Sequence, residues 1–224
     1  MVKGERDYTQ RVLATVSPSA LVGGRVIYFE DFESQVMHTI STTGSPTITT
    51  TQDQVYDGSG SGKFSLGLGA NGTFNGPFIL PALGHVAGEF IFMPGGSDLE
   101  LARINVDVHD GEHQYLAGVR IYDDGSNLNL QYLDSTSTWT THTILSAAPI
   151  SQLWHLLRFS ADLVTGNYIS LQFDARKIIP SNLPYATLTA ALSPGNFFGI
   201  EFKARAGAIQ TVYFDDIAIS YEEP

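Results

Sequence analysis

The sequence of 224 residues contains no cysteine. This absence excludes disulfide bonds, thiol nucleophiles and zinc sites built on cysteine ligands. Charged residues make up only 16% of the chain, against a usual value of about 25%. No apolar run approaches the ~18 residues that a membrane span requires. The formal net charge of −11 disfavours a general nucleic-acid-binding protein, because such proteins carry basic surfaces.

A secretion signal is also missing from the sequence as it stands. The first residues, 1–6, are not followed by the apolar segment that a signal peptide contains. Either the protein is assembled inside a cell, or a signal has been removed from this sequence. The two readings predict different locations: a virion surface after assembly in a host cytoplasm, or an extracellular or cell-surface position.

The chain instead contains many short segments in which apolar and polar residues alternate. One such segment has Ala102, Ile104, Val106 and Val108 on one face, and others lie at 115–121, 128–132, 157–161 and 198–202. Gly, Asp and Ser residues separate these segments as turns, and no stretch within 26–224 shows a sustained helical period. The pattern predicts an all-β protein, an antiparallel sandwich or barrel, with one domain at 26–224.

Residues 1–25 differ from the rest and predict an N-terminal arm. They carry four basic and two acidic residues, net +2, whereas the remainder carries eight basic and 21 acidic residues, net −13. The arm, extended or a short helix, also holds apolar residues that a purely solvating tail does not need. We expect it to contact a neighbouring subunit, and a disordered tail is the alternative. The contact residues predicted are Arg6, Tyr8, Arg11, Val12, Leu13 and Val16.

Four segments, in order, resemble a known family. They are Phe29–Glu33, Asp57–Leu66, Leu153–Phe159 and Val212–Ile217. Together they are similar to the concanavalin A-like lectin and glucanase jelly roll, with its laminin-G-like and carbohydrate-binding-module relatives, over about residues 26–222. The resemblance implies an antiparallel β-sandwich jelly roll. It implies no particular activity, because this fold hosts enzymes, lectins and structural domains.

Catalysis is not predicted. Glycoside hydrolysis needs two carboxylates that flank one bond, and glucanases of the family carry a Glu-x-Asp triplet completed by a second Glu on one strand. Here Asp31–Glu33 and Asp98–Glu100 are incomplete, and 101–109 offers only Asp107. We therefore expect that the protein is not an enzyme, with an unusual glycoside hydrolase as an alternative.

Calcium is the cofactor that the sequence favours. Calcium takes six to eight oxygen ligands, and related carbohydrate-binding modules hold a structural calcium with a Glu, loop carbonyls and a C-terminal Asp. By this resemblance the ligands would be Glu33, Asp57, Asp215 and Asp216, with carbonyls from the glycine-rich loop 58–62. The alternative is that these acids cap loops. The histidine-rich segment 107–113 is either a second metal site or a polar turn.

A glycan site needs exposed aromatic rings beside amide and carboxylate groups. The candidates are Trp139, Tyr122, Tyr132, Asn129 and Gln131. The alternative for most of them is a place in the core, because aromatic residues at strand period are usually buried. Trp139 follows a polar turn and is expected to be exposed.

These observations predict a non-catalytic jelly-roll module that works by binding. The arm is similar to the leaders of tailed-phage structural proteins, which indicates a structural or decoration protein on the surface of a phage-like virion. Its partners would be other subunits of a homo-oligomer or larger particle, and glycans. The alternative is a carbohydrate-binding module of a bacterial surface or secreted system.

Overall fold

A computed structural model describes residues 25–33, 47–146, 152–189 and 195–222. Of the predicted arm at 1–25, residues 1–24 lie outside the described residues, and Arg25 begins the first strand. The described chain forms strands and no helix, which confirms the all-β prediction. Its strands are β1 Arg25–Glu30, β2 Thr47–Thr51, β3 Ser61–Leu66, β4 Asn71–Phe78, β5 His85–Pro94, β6 Leu99–His109, β7 His113–Asp123, β8 Leu128–Leu133, β9 Trp139–Ser146, β10 His155–Asp162, β11 Asn167–Phe173, β12 Arg176–Ile178, β13 Ala186–Thr189, β14 Asn196–Ala204 and β15 Gln210–Glu222.

The strands form two antiparallel sheets. The first sheet has the order β12-β11-β10-β5-β15-β3-β2, and β1 pairs with β15 beside this path. The second sheet has the order β4-β14-β6-β7-β8-β9, and β13 pairs with β7. Many strands that are neighbours in a sheet are far apart in the sequence, as the long connections of a jelly roll require. The predicted antiparallel jelly-roll sandwich is confirmed. The described residues include no helix that is long and apolar enough to span a membrane.

The core lies between the sheets and is rich in phenylalanine. The alternating residues of β6 predicted to share a face are buried together. Phe202 of the second sheet contacts rings of the first: its centroid lies 5.4 Å from Phe64, 5.7 Å from Phe90 and 5.8 Å from Phe214. Such tilted and edge-on pairs add to the free energy gained by burying the rings.

We expect replacement of Phe202 by alanine to lower the free energy of unfolding by ~3–5 kcal/mol, because it leaves a cavity among aromatic rings. Urea denaturation measures the change. Phe197→Ala is the matched control on the same strand, since this ring is 39% exposed, and its loss should be much smaller. Equal losses for both variants would contradict the placement of the core.

Candidate functional site

The outer face of the second sheet carries a continuous polar surface. Because the apolar residues of β6 point inward, the residues between them point outward, at Arg103, Asn105, Asp107 and His109. The same alternation turns Arg120 and Tyr122 of β7 outward. We call this surface the polar face.

Strand register places two arginines side by side at the centre of the polar face. Arg103 pairs with Arg120 on β7 and with Glu201 on β14, and Arg120 pairs with Gln131 on β8. Arg103 Nη2 lies 2.6 Å from Glu201 Oε2, and Arg120 Nε donates to Gln131 Oε1 at 2.6 Å. Among the described residues, no carboxylate lies within ion-pair distance of Arg120.

This arrangement is electrostatically unbalanced. Burial, and then the charge of Arg103, lower the pKa of the Arg120 guanidinium to about 10. The group still remains charged at neutral pH. Two adjacent cations therefore share one directly bonded carboxylate, and an anion brought to Arg120 would relieve their repulsion.

Trp139 lies against both arginines. The Arg120 Cζ atom is 4.7 Å from the centroid of the Trp139 ring, and the Arg103 Cζ atom is 5.9 Å from it. Arg120 also lies 5.1 Å from the ring of Tyr122. These cation–π contacts hold the guanidinium groups in place without neutralising them. The result is a fixed cationic centre with an aromatic border.

Two asparagines and two glycines form a low floor beside the arginines. A Cβ atom at Gly199 would lie 2.9 Å from Asn75 Oδ1 and 3.2 Å from Asn105 Oδ1, and one at Gly118 would lie 2.7 Å from Asn105 Cβ. The glycines thus leave room for the amides to lie across the sheet. Neither amide hydrogen-bonds to another described residue, so both can bind a ligand.

The far end of the polar face is occupied by its own contacts. Both carboxylate oxygens of Asp107 accept hydrogen bonds from Gln114 Nε2, and His109 Nε2 lies 2.8 Å from Asp107 Oδ1. In the following turn, Asp110 accepts hydrogen bonds from the backbone N–H of Glu112 and His113. The histidine-rich segment is therefore a capped turn. The described residues contain no group of three or more His, Asp or Glu side chains arranged to hold a metal ion.

The structure brings together most of the predicted glycan-binding residues. Trp139, Tyr122 and Gln131 lie on the polar face around Arg120. Asn129 lies at its edge, where its Nδ2 donates to Asp124 Oδ2 at 3.0 Å. Tyr132 points the other way, packs at the core and lies 5.8 Å from the ring of Tyr168.

Sequence reasoning missed the central group of the site. Arg103, Arg120, Glu201 and Asn75 belong to four strands, and their meeting depends on strand order. The signal in the sequence that could have indicated this group is the row of polar residues that alternates with the apolar residues of β6. That alternation was interpreted only as evidence of a strand.

The predicted calcium residues lie around one loop, at 56–60. Ser59 donates from its backbone and its hydroxyl to the two carboxylate oxygens of Glu33, at 2.6 Å and 2.8 Å. Asp215 Oδ2 accepts the Tyr56 N–H at 3.3 Å, and Asp57 Oδ1 accepts the Gly58 N–H at 2.8 Å. Asp216 is buried beside Asp215. As they stand, the carboxylates anchor the loop, and calcium binding stays a prediction.

Comparisons with known proteins extend this description. No protein-family model matches the sequence, and no curated protein matches it. Solved structures do resemble the fold. A conserved carbohydrate esterase from the Shiga toxin-encoding bacteriophage phi24B has a TM-score of 0.64 at 16% identity, covering 90% of this chain and 100% of its own.

Two lyases are also similar. An endo-β-1,4-glucuronan lyase from the fungus Trichoderma reesei has a TM-score of 0.59 at 11% identity, covering 88% of this chain and 96% of its own. The alginate lyase vAL-1 from a Chlorella virus has a TM-score of 0.56 at 10% identity, covering 88% of this chain and 100% of its own.

The prediction that the protein is not an enzyme is corrected by these structures. It rested on the missing carboxylate triplet of glucanases, whereas the similar structures belong to an esterase and two lyases. The absence of this triplet argues against glycoside hydrolysis alone and says nothing about ester hydrolysis or elimination. At these identities the likeness shows the fold and not an activity, so catalysis must be judged from the polar face itself.

The buried Asp215 predicts a pH-dependent stability. Burial, and then the charge of Asp216, raise the pKa of Asp215 from 3.8 to about 8. Between these values the folded protein binds more protons than the unfolded chain, so its stability should fall as the pH rises from about 4 to about 8. We expect Asp215→Asn, which keeps an acceptor for Tyr56 N–H, to reduce this decrease.

Thermal melting at pH 5 and pH 8 in excess chelator measures the effect. Asp53→Asn is the control, because Asp53 is an exposed acid whose pKa is lowered by Lys63. An unchanged slope in D215N would contradict the role given to Asp215. Adding calcium at pH 8 tests the metal prediction, since a ligand specific for the folded state raises the melting temperature.

Proposed function

We propose that this protein binds an acidic polysaccharide on the polar face. The observation that carries the proposal is the pair Arg103 and Arg120, fixed against Trp139, with Glu201 as their one directly bonded carboxylate in the described part of the chain. A sugar carboxylate would supply the missing negative charge at Arg120. The planar guanidinium suits this task, because it offers paired N–H donors that match the two oxygens of a carboxylate.

The surroundings of the arginines favour a sugar over a simple anion. Sugar rings have apolar C–H faces that pack on aromatic rings, and Trp139 and Tyr122 border the site. Their hydroxyl groups need donors and acceptors, which the amides of Asn75 and Asn105 supply beside the cationic centre. A few polar groups beside aromatic surface are typical of ligand sites that fix one orientation.

The comparisons support this substrate class. Two similar structures are lyases named for glucuronan and alginate, which are both polymers of uronic acids. The feature that these two structures share with this chain is the fold. The glycan-binding part of the sequence prediction thereby becomes more specific.

Cleavage of the bound chain is a second candidate function. It is favoured by the concentration of donors around the place where a uronate carboxylate would bind. Neutralising that carboxylate makes the C–H bond beside it more acidic. Removal of this proton forms a C=C bond and breaks the bond from the next carbon to the glycosidic oxygen, which is an elimination. Tyr122, 5.1 Å from Arg120, is the phenol placed to accept the carbon-bound proton as its phenolate and to return it to the departing oxygen. Ultraviolet absorbance of an unsaturated sugar end would report this reaction.

The location of the protein is a separate proposal. A place on the surface of a phage-like virion rests on the sequence of the N-terminal arm, which lies outside the described residues. The polysaccharide-binding proposal does not depend on it.

Arg120→Ala should weaken binding of a polyuronate by about 10- to 100-fold, because one charge-assisted hydrogen-bonded pair contributes ~1.5–3 kcal/mol. Isothermal titration with short uronate oligomers measures the change. Lys177→Ala is the matched control, since it removes one positive charge from the edge strand β12 of the first sheet. It should leave binding unchanged.

Neutral oligomers of the same length are the ligand control. They should bind the unaltered protein more weakly than uronates do, and Arg120→Ala should remove most of this difference. Equal binding of acidic and neutral oligomers would refute the acidic class. Equal losses of affinity in R120A and K177A would show that the net charge of the protein, and not the polar face, determines binding.

A further inference from the structure

An exposed phenylalanine lies on the polar face, away from the arginines. Phe197 of β14 is 39% exposed. It points outward, because the next residue, Phe198, belongs to the core and its strand partner on β6 is the outward Asp107. A single exposed ring needs no explanation by itself, so its surroundings decide whether it can bind a ligand.

The ring of Phe197 is held in place from behind. A Cβ atom at Gly195 would lie 3.0 Å from Cε2 of this ring and 3.2 Å from its Cζ, so the ring lies against the glycine, where a larger residue would displace it. On the side of β4, its strand partner is Pro77. A ring whose orientation is fixed before a ligand arrives loses little freedom on binding, which favours affinity.

Register places Phe197 and the cationic centre on one diagonal of the sheet. Phe197 pairs with Asp107, and Asn105 lies two residues further along β6. Arg120 lies one strand beyond, on β7, where it pairs with Arg103. Crossing two strand spacings and four residues along the strands gives ~16 Å between Phe197 and Arg120. One sugar ring is much shorter than this distance, so only a chain of several sugars can contact both.

The path between these two ends is low. Asn105, at its midpoint, pairs with Gly199 on one side and with Gly118 on the other. A Cβ atom at Gly199 would lie 3.2 Å from Asn105 Oδ1, and one at Gly118 would lie 2.7 Å from Asn105 Cβ. The amide can lie flat on the sheet only because both neighbours lack a side chain. An extended chain can therefore lie over these three residues.

The two ends of the path differ in chemistry. At Arg120 the guanidinium can bind an anion, but the charged group beside Phe197 is the carboxylate of Asp107. This carboxylate accepts hydrogen bonds from Gln114 Nε2 and lies 2.8 Å from His109 Nε2. A uronate carboxylate placed next to it would be repelled. A sugar over Phe197 must therefore bind through its apolar C–H face, with its carboxylate turned away from the sheet.

We propose that Phe197 forms a second sugar subsite, and that the polysaccharide lies along the diagonal from Arg120 to Phe197. The inference rests on the proposed function and makes it more specific. One sugar is recognised by its carboxylate at Arg120. Another sugar, further along the same chain, is recognised by its ring face at Phe197, whatever its charge. The length of the ligand is therefore part of its recognition.

The test compares Phe197→Ala with Arg120→Ala on a uronate dimer, which is too short to contact both ends, and on a hexamer. We expect Phe197→Ala to weaken hexamer binding by about 5- to 20-fold, because an apolar ring face is no longer buried. Dimer binding should not change, whereas Arg120→Ala should weaken binding of both oligomers. Isothermal titration measures the hexamer and NMR titration the dimer.

Two further comparisons separate the subsite from the cationic centre. A neutral hexamer should lose the same factor in Phe197→Ala as the uronate hexamer, so the preference for acidic oligomers should persist in this variant. Phe197→Trp should keep hexamer binding, because it retains an aromatic face. The control is Ile179→Ala, which removes a side chain that is 77% exposed and follows β12 of the first sheet. It should leave all binding unchanged.

The other outcomes each overturn a stated part. Unchanged hexamer binding in F197A, with R120A still weakened, would overturn the second subsite and leave the proposed function standing. Equal losses for dimer and hexamer in F197A would also overturn it, since the ring would then affect the cationic centre and not a distant sugar. Unchanged dimer and hexamer binding in R120A would overturn the proposed function, and this inference with it.

Discussion

The packing of phenylalanine rings against glycines between the two sheets is the constraint on which the rest of the structure depends. A Cβ atom at Gly62 would lie 2.4 Å from the ring of Phe214, and one at Gly76 would lie 2.3 Å from the ring of Phe198. Each ring thus occupies the space that its cross-strand neighbour leaves empty. Because a slip of one residue would turn every side chain to the other face, this packing fixes the register of β3 against β15 and of β4 against β14. The same rule applies to β6 and β7, where the buried Ile104 pairs with Val119, so that Arg103 lies beside Arg120 on the outer face.

The charge of the chain and the charge of its proposed site have opposite signs, and distance explains how both can matter. The net charge of −11 acts over the whole surface, but salt screens it beyond ~8–10 Å. The arginine pair acts within hydrogen-bond distance, in a half-buried place where screening is weaker. A protein can therefore repel polyanions weakly from most of its surface and still hold one carboxylate firmly at Arg120. This combination favours a ligand of defined geometry over anions in general.

The sequence predicted the fold well because alternation is a local property. The inward residues of β6 and β7 could be recognised from spacing alone. The exposure expected for Trp139 after a polar turn could not, because its ring packs against Arg103 and Arg120 and is half-buried. The cationic centre could not, because Glu201 is about 100 residues from Arg103 and meets it only through strand order. Tyr132 shows the opposite difficulty: its aromatic character fits a sugar site, but its position in the alternation directs it to the core. The exclusion of catalysis failed for another reason, since it tested for the residues of a single reaction.

The two outer faces lead to one assignment of function. A sandwich has two outward surfaces on which a polymer could lie, and here they have opposite character. The first sheet presents a row of alanine and serine side chains on its outer face, and Arg158 beside this row is already paired with Glu89. The second sheet presents arginines, amides and aromatic rings that remain accessible and, at Arg120, lack a carboxylate partner among the described residues. Only the second surface gains from an acidic ligand without losing an existing contact, which is the physical reason to place the site there.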